Sequence, residues 1–463
     1  IVRRPAVQAM LGAGFQTNAV MPEPAAQATM RLREPLVLPC GQTLPNRIAK
    51  AAMTEGLADA RMNATPALET LYRRWSHGGA GLLITGNVQI DRWDLERPGN
   101  VVIDGDADRD ALARWAAAAK EGGSHVWMQL SHAGRQAPLY CTPRPVAPSP
   151  VGLKLLGAYR TPRALTRKGI ASVIERFVNA AAIAREAGFD GVQIHSAHGY
   201  LLSEFLSPVT NRRQDDYGGS LENRARLLLA VVRAVREAVG NDFAIGVKLN
   251  SADFQKGGFS NDECIQVVHW LNDCGIDLLE ISGGSYEQPR LLGHSGDESQ
   301  AEAPRQSTRR REAYFLEYAA LIRKAATMPL MVTGGFRSRD AMVEALDSGD
   351  TDVIGLGRPL CVDPNFVARL FENTTAQAVD PGADLAYGQG MFGPRSSVSA
   401  LRFVNIFSQM GWYYMQLMRM GRGLEPDWNM ALRQGLFGHV RSELSAARRI
   451  RSFQKQADTL DAE

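Results

Sequence analysis

A short apolar, often β-branched run recurs eight times in the chain, and a Gly- or Ser-rich turn and a longer stretch of helical periodicity follow each run. The runs are RIAKAA from residue 47, GLLIT from 81, HVWMQL from 125, GVQIH from 191, FAIGVKL from 243, IDLLEIS from 276, PLMVTGG from 329 and DVIGLG from 352. Strands that alternate with helices are typical of βαβ units in a parallel sheet. Eight such units predict an α/β fold, a (β/α)8 TIM barrel with its functional groups at the carboxyl ends of the strands. A doubly wound open sheet is the alternative, but it would be favoured by a GxGxxG turn after an early strand, and no early apolar run is followed by one.

The barrel is predicted to span residues 34–375, with an extension before it and a tail after it. Residues 1–33 are expected to form a disordered extension rather than a secretory signal, because polar residues interrupt their weakly apolar stretch. Residues 376–463 are expected to form a C-terminal helical tail. Its aromatic part, 401–421, is predicted to pack on the barrel or on a partner subunit, and its basic part, 439–455, to form a solvated helix face. Binding of the basic part to a membrane surface is the alternative.

Charge and cysteine content argue against several classes of protein. The formal net charge is +3, and the basic excess lies at the two ends of the chain, which argues against a nucleic-acid enzyme with its basic residues on one face. The five cysteines form no CxxC pair, which argues against a disulfide framework, a zinc finger or an iron–sulfur cluster and is typical of a reducing cytosol. No run approaches the roughly 18 apolar residues that span a bilayer. We therefore expect a cytoplasmic protein that binds no nucleic acid.

Two histidines and a tyrosine follow the fourth apolar run, in the sequence IHSAHGY at 194–200. A helical turn at this point would place His198 on the same side as His195, because residues three apart are neighbours on a helix. Two imidazole N–H groups could then polarise one carbonyl oxygen, and Tyr200 could deliver a proton. A metal site and a purely structural role for the histidines are the alternatives, although no strand end offers an obvious third metal ligand.

The other strand ends carry groups that suit a phosphorylated, planar ligand with polar edges. The seventh run closes in Gly334-Gly335 and the eighth in Gly357-Arg358, which places N–H groups and a guanidinium where TIM barrels commonly bind phosphate. The remaining candidates are Lys248 on the fifth run, Gln129 on the third, and Met53 and Thr54 after the first.

At these positions the chain resembles the Old Yellow Enzyme family of FMN-dependent ene-reductases and NAD(P)H:flavin oxidoreductases. The resemblance covers roughly residues 34–375, and the blocks that carry it are LPNRIAKAAMTEGLAD (44–59), QLSHAGRQ (129–136), IHSAHGYLLSEFLSPVTNRRQDDYGGSLENRARLLL (194–229), TGGFRS (333–338) and IGLGRPL (354–360). It implies a barrel that binds FMN, takes electrons from NADH or NADPH, acts on a small-molecule substrate and forms a homo-oligomer.

The same resemblance implies roles for the cofactor-binding residues. Thr54 would bond the flavin at its C4 carbonyl edge, with Met53 packed beside the ring and Asn87 adding a side-chain contact. Gln129 would bond the pyrimidine edge, and Lys248 would stabilise the anionic reduced flavin near N1. The residues implied to hold the phosphate are Gly334, Gly335, Gly357 and Arg358.

His195 and His198 are implied to bind the carbonyl oxygen of the substrate, and Tyr200 to donate a proton. The chain is therefore expected to reduce activated C=C bonds of α,β-unsaturated carbonyl compounds with hydride from flavin N5, and no metal is expected. A flavin-dependent oxidative demethylase or amine dehydrogenase on the same barrel is an alternative. Two other classes are a metal-dependent hydrolase that uses His195 and His198, and a cofactor-free aldolase or isomerase that uses Lys248.

Overall fold

Eight parallel strands close into a barrel in the computed structural model, which describes residues 23–460 apart from 154–156, 284–314, 389, 391, 392, 394, 395 and 397. The strands are β1 Ile48–Lys50, β2 Leu82–Ile84, β3 His125–Ser131, β4 Gly191–Ser196, β5 Ala244–Asn250, β6 Leu278–Ser282, β7 Leu330–Thr333 and β8 Val353–Leu356. Each strand pairs with its successor, and β8 pairs with β1. Each of the eight predicted runs overlaps one of these strands, and the predicted TIM barrel is confirmed.

Helices surround the barrel and follow the strands as the periodicity predicts. They are α1 Glu23–Arg33, α2 Pro66–His77, α3 Arg109–Lys120, α4 Arg167–Glu186, α5 Leu201–Leu206, α6 Leu221–Val239, α7 Asn261–Asn272, α8 Leu316–Arg323, α9 Arg339–Asp347, α10 Arg358–Val362, α11 Phe366–Phe371, α12 Ser399–Gly421 and α13 Leu432–Leu460. The cap residues explain several bounds. The Ser220 hydroxyl accepts from the N–H of Asn223 at the start of α6, and Gly240, at φ 73°, ends that helix in the left-handed region.

Short elements complete the loops. Strand Leu36–Val37 pairs antiparallel with Thr43–Leu44, and Val88–Gln89 pairs with the end of β3. Val146–Ala147 pairs with Arg163–Ala164 within the long loop after β3. Two 3-10 turns span Gly134–Gln136 and Pro381–Ala383.

Packed side chains fill the barrel interior below the carboxyl ends of the strands. The Trp127 side chain of β3 is fully buried, and the neighbouring strands make room for it with glycines. A Cβ atom at Gly246 would lie 2.9 Å from the Trp127 ring, and one at Gly191 would lie 2.8 Å from its Nε1. The apolar side chains that share this interior are Ala49, Leu82, Ile84, Ala244, Leu278, Met331 and Val353. Because the interior is filled, a ligand has room only at the open carboxyl end.

The N-terminal extension differs from the expectation where the structure describes it. Residues 23–33, expected to be disordered, form helix α1, while residues 1–22 lie outside the described part of the chain. Leu32 is fully buried, and the Nε of Arg31 lies 2.9 Å from Oδ1 of Asp347 on α9. Burial of Leu32 and pairing with α9 stabilise a helix that is too polar to be recognised from its own composition.

The C-terminal tail packs on the barrel. Helix α12 contacts α2 and α10, and α13 lies against α12. The second tail helix was expected to be a solvated face, but its inner side is buried at His439, Ala446, Ala447 and Ile450. Glu443 of α13 forms an ion pair with the buried Arg97 in the loop after β2. Within the described residues, no helix is long and apolar enough to cross a membrane.

Candidate functional site

The two histidines of the IHSAHGY segment meet at the end of β4. His195 is buried on the strand, and its ring centroid lies 5.1 Å from that of His198 in an edge-to-face arrangement. The turn between them is not the helical one expected, because His198 adopts φ 62° in the left-handed region. That backbone is held by a hydrogen bond from the His198 N–H to Oδ1 of Asn250, at 3.1 Å. The expected convergence of the two rings is thus present, but it arises from one left-handed residue.

Both imidazoles are neutral near pH 7. Burial lowers the pKa of His195 well below its usual value, and His198 and Lys248 lower it further. Burial and Lys248 also lower the pKa of His198. A neutral imidazole has one N–H: in His195 the Nδ1 accepts from the N–H of Ala197 at 3.3 Å, so the proton lies on Nε2. The Nε2 of His198 lies 2.7 Å from the Ser282 hydroxyl, a group that can donate to that nitrogen or accept from it.

The phenol of Tyr200 joins this pair. Its ring centroid lies 4.8 Å from that of His195, and the residue is only 4% exposed. Tyr200 has extended backbone angles and immediately precedes helix α5, so the short helix fixes its position beside the histidines. Two neutral N–H donors and a phenol therefore occupy one corner of the barrel mouth.

A row of buried polar side chains crosses the barrel interior from β3 to β6. Gln129 Nε2 donates to Gln193 Oε1 at 2.7 Å, and Gln193 Nε2 donates to Glu280 Oε2 at 2.7 Å. Glu280 Oε1 lies 2.7 Å from the Nζ of Lys248. The structure thus brings together two predicted flavin contacts, Gln129 and Lys248, through two residues that the sequence reasoning missed. The available signal was a polar residue between apolar neighbours in each run, Gln193 in GVQIH and Glu280 in IDLLEIS.

The loop after β1 carries Met53 and Thr54 against the loop after β2. A Cβ atom at Gly86 would lie 2.7 Å from the Cα of Thr54, so glycine is required for the two backbones to approach. This contact places Thr54 next to the segment of Asn87, which is buried. On the other side, the Sδ of Met53 would lie 3.7 Å from a Cβ at Gly357, at the end of β8. One side of the barrel mouth therefore carries four of the predicted site residues, Met53, Thr54, Asn87 and Gly357.

A buried lysine that sequence reasoning also missed fixes this loop. Lys50 is fully buried, and its Nζ donates to the carbonyl oxygen of Ile84 at 2.7 Å and to the Tyr72 hydroxyl at 3.1 Å. The Tyr72 hydroxyl donates to Glu55, whose Oε1 also accepts from the N–H of Gly86 at 3.0 Å. Burial lowers the pKa of Lys50 to about 8, although Glu55, 3.8 Å away, opposes the shift. The network ties Glu55, which follows Thr54, to Gly86, which precedes Asn87.

The loops after β7 and β8 carry the residues that were predicted to hold a phosphate, called the cradle below. Gly334 and Gly335 have φ values of 131° and 89°, a backbone conformation that side-chain-bearing residues rarely adopt. The preceding Thr333 has a buried hydroxyl oxygen without a hydrogen-bond partner among the described residues. Arg358 begins helix α10 directly after Gly357. These groups suit a phosphate, which takes several donors at once.

The metal alternative finds little support in the described part of the chain. No Asp, Glu, Cys or third His there joins the histidine pair at the end of β4 in a group able to hold an ion. One group of three does occur elsewhere, with ligand atoms of Asp91, Asp94 and His132 within 4.8 Å of one another. However, the Nδ1 of His132 accepts from the N–H of Gly134 at 3.1 Å, so its Nε2 carries the proton and is a donor rather than a ligand. Asp91 is already paired with Arg176 at 2.6 Å.

Comparisons with known proteins agree on one family. The model of the NADH:flavin oxidoreductase / NADH oxidase family matches residues 31–377. The NADH-dependent flavin oxidoreductase iliE of Hypocrea jecorina is 37% identical over 352 residues, which cover 71% of this chain and 86% of that protein. The NADH oxidase of Thermoanaerobacter brockii is 35% identical over 328 residues, which cover 69% of this chain and 48% of that protein. Among solved structures, an old yellow enzyme homologue from Zymomonas mobilis has a TM-score of 0.63 at 30% identity, covering 75% of this chain and 94% of that one. Morphinone reductase in complex with tetrahydroNAD has a TM-score of 0.62 at 27% identity, covering 76% and 93%.

The residues present at the barrel mouth fit FMN. The orphan hydroxyl of Thr333 and the left-handed Gly334 and Gly335 are arranged for a phosphate, and the row that ends in Gln129 and Lys248 offers an amide and an ammonium to a pyrimidine edge. His195, His198 and Tyr200 form a further group of donors at the end of β4.

Proposed function

Because the chain belongs to the Old Yellow Enzyme family and is an FMN-dependent NAD(P)H oxidoreductase, we propose that it reduces activated C=C bonds of α,β-unsaturated carbonyl compounds. The observation that carries this proposal is the corner formed by two neutral imidazoles, 5.1 Å apart, and the phenol of Tyr200. Such a group of donors suits an acceptor that develops negative charge on one oxygen and needs a proton on carbon.

FMN, when bound, supplies the hydride that it has taken from NADH or NADPH. The proposed ring contacts are Met53, Thr54, Asn87, Gln129 and Lys248, and the proposed phosphate contacts are Gly334, Gly335, Gly357 and Arg358. Glu280 balances the charge of Lys248, so the ammonium proposed to contact the pyrimidine edge is half of a buried ion pair.

His195 and His198 hold the carbonyl oxygen of the acceptor through their N–H groups. Because enolate charge builds on that oxygen as hydride arrives at the β-carbon, fixed donors bind the transition state more tightly than the ground state. The left-handed backbone at His198 and the Ser282 hydroxyl keep the second imidazole in place before the acceptor binds. Tyr200 donates its phenolic proton to the α-carbon, which completes the addition.

Anaerobic stopped-flow spectroscopy tests the proposal. The purified protein is expected to be yellow, to bleach with NADH or NADPH, and to regain its colour with cyclohexenone. Tyr200→Phe should bleach at the parental rate and recolour at least about 100-fold more slowly, which is the lower end of the usual gain from general acid catalysis. Colour that returns equally fast in both proteins would refute the role of Tyr200 and favour an oxidative demethylase or amine dehydrogenase.

The histidine roles are tested by phenolic ligands, which mimic an enolate oxygen. His195→Ala and His198→Ala should weaken the binding of a phenol and slow reoxidation by enones, while FMN stays bound. His77→Ala, which changes an exposed surface histidine, is the matched control and should alter neither property. Phenol binding that is unchanged in both site variants would show that the pair does not hold the acceptor oxygen.

The cytoplasmic location and the homo-oligomer remain predictions.

A further inference from the structure

Tyr413 lies on tail helix α12, and its hydroxyl is buried. The ring packs against the main core, and the hydroxyl oxygen is buried without a hydrogen-bond partner among the residues that the structure describes. Native proteins rarely leave a buried hydroxyl unsatisfied, because desolvation then goes uncompensated. An orphan group of this kind therefore points to a bound ligand.

Contacts of Tyr413 and of its helix lead to both segments proposed to hold the FMN phosphate. Its helix packs against helix α10, which begins at Arg358. A Cβ atom at Gly382 would lie 3.7 Å from the hydroxyl oxygen and 2.9 Å from Oδ1 of Asp380. Asp380 forms an ion pair with Arg337, which lies two residues after Gly335. The tail thus carries a phenol that is linked to the β7 loop through Asp380 and Arg337 and to the β8 loop through helix α10.

The chemistry of this phenol suits a phosphate. Burial raises the pKa of Tyr413, while Arg358 and Arg337 act in the opposite direction. The group is therefore a protonated donor at neutral pH, in the electrostatic field of two guanidinium groups. An anion attracted by these cations accepts hydrogen bonds readily, and such charge-assisted bonds are stronger than neutral ones.

We propose that the Tyr413 hydroxyl donates a hydrogen bond to the phosphate of FMN. The C-terminal tail, which lies outside the 31–377 match to the family model, then supplies part of the cofactor site. The inference rests on the proposed function, specifically on the placement of the phosphate beside Arg358.

The test compares two ligands that differ only in the phosphate. The dissociation constants of FMN and riboflavin are measured by flavin fluorescence with apo-protein from the parent, Tyr413→Phe and Arg358→Ala. Tyr413→Phe should weaken FMN binding about ten- to hundredfold, as expected for a lost hydrogen bond to a charged group, and leave riboflavin binding unchanged. The phosphorus NMR resonance of bound FMN should also shift in this variant.

A matched control is available in the same region. Tyr387 is partly exposed and its hydroxyl lies 3.1 Å from the Ser408 hydroxyl, so Tyr387→Phe removes the same atom without approaching the cradle. It should keep the parental ratio of FMN to riboflavin affinity. Thermal unfolding of each apo-protein shows whether the variant is folded.

The outcomes separate the two proposals. A lower affinity of Tyr413→Phe for FMN and riboflavin alike, with a lower apo melting temperature, would show a structural role and overturn the inference. If Arg358→Ala loses discrimination between the ligands and Tyr413→Phe does not, only the inference fails. If Arg358→Ala keeps full discrimination, or the parent binds both ligands equally, the phosphate does not lie at this cradle, and both the proposed phosphate contacts and the inference fail.

Discussion

The ion pair between Arg97 and Glu443 offers a quantitative test of how the tail is attached. Arg97 is 4% exposed, its Nε lies 3.2 Å from Glu443 Oε1, and its guanidinium carbon lies 3.9 Å from the centre of the Tyr414 ring. Glu443→Ala leaves this cation buried without its partner. Loss of one member of a buried pair typically costs about 3–5 kcal/mol. We expect a loss near 3 kcal/mol in the free energy of unfolding, because Glu96 and the aromatic ring remain close to the cation.

The assay is urea unfolding followed by tryptophan fluorescence, with hydrogen exchange to localise the effect. Protection in helix α13 should fall before protection in the barrel strands. Asp216→Ala is the control, because its pair with Arg167, at 2.8 Å, is about two-thirds exposed on both sides and such pairs contribute about 0–1 kcal/mol. The double variant Arg97→Met/Glu443→Leu should recover most of the loss, because no charge is then buried alone. A loss from Glu443→Ala as small as that of the control would refute the reasoning.

Three further predictions concern the barrel mouth. Because the pKa values of His195 and His198 are lowered in the folded state, their contribution to stability is complete above the unfolded value of about 6.5 and declines as pH falls below it. Between pH 6.5 and 5, the free energy of unfolding of the parent should therefore decrease more steeply with falling pH than that of the variant His195→Gln/His198→Gln, by up to about 2.7 kcal/mol per pH unit. Urea titrations that give the same slope for both proteins would contradict this. Glu280→Gln leaves a buried ammonium unbalanced, so the FMN midpoint potential should rise by on the order of 30 mV in a dye-linked titration; an unchanged or lower potential would disagree. Gly86→Ala places a methyl 2.7 Å from the Cα of Thr54, so unfolding should be easier by about 1–3 kcal/mol and FMN affinity lower, and a variant with parental stability would exclude the close approach.

The strands were predictable because each is mainly apolar and a helical stretch follows it. Such a pattern depends only on local sequence, and all eight runs were recognised. The meeting of His195 and His198 was predicted from their spacing, but the left-handed residue that produces it was not. A non-glycine residue with positive φ is held by its surroundings, here by Asn250 on the next strand, and local sequence does not contain that contact.

Contacts between side chains of different strands, helices and loops were harder to predict from the sequence. Lys248 was recognised as a buried cation, but its pairing with Glu280 depends on the register of β5 against β6. Lys50 lies in an apolar run and was read as an ordinary strand residue, because its partners Tyr72 and Glu55 come from a helix and a loop. The buried side of tail helix α13 was equally hard to predict, because Arg97, which pairs with Glu443, comes from the loop after β2.

The row Gln129–Gln193–Glu280–Lys248 has a consequence for how barrels of this kind can change over evolution. It joins side chains from β3, β4, β5 and β6, so four consecutive βα units share one set that is held by two hydrogen bonds and an ion pair. A recombination point within this half would separate a donor from its acceptor and leave a buried charge or amide alone. A crossover before β3 or after β6 keeps the set whole. We therefore expect that chimeras with a related barrel exchange this half as one block, and that single-unit exchanges inside it produce insoluble chains.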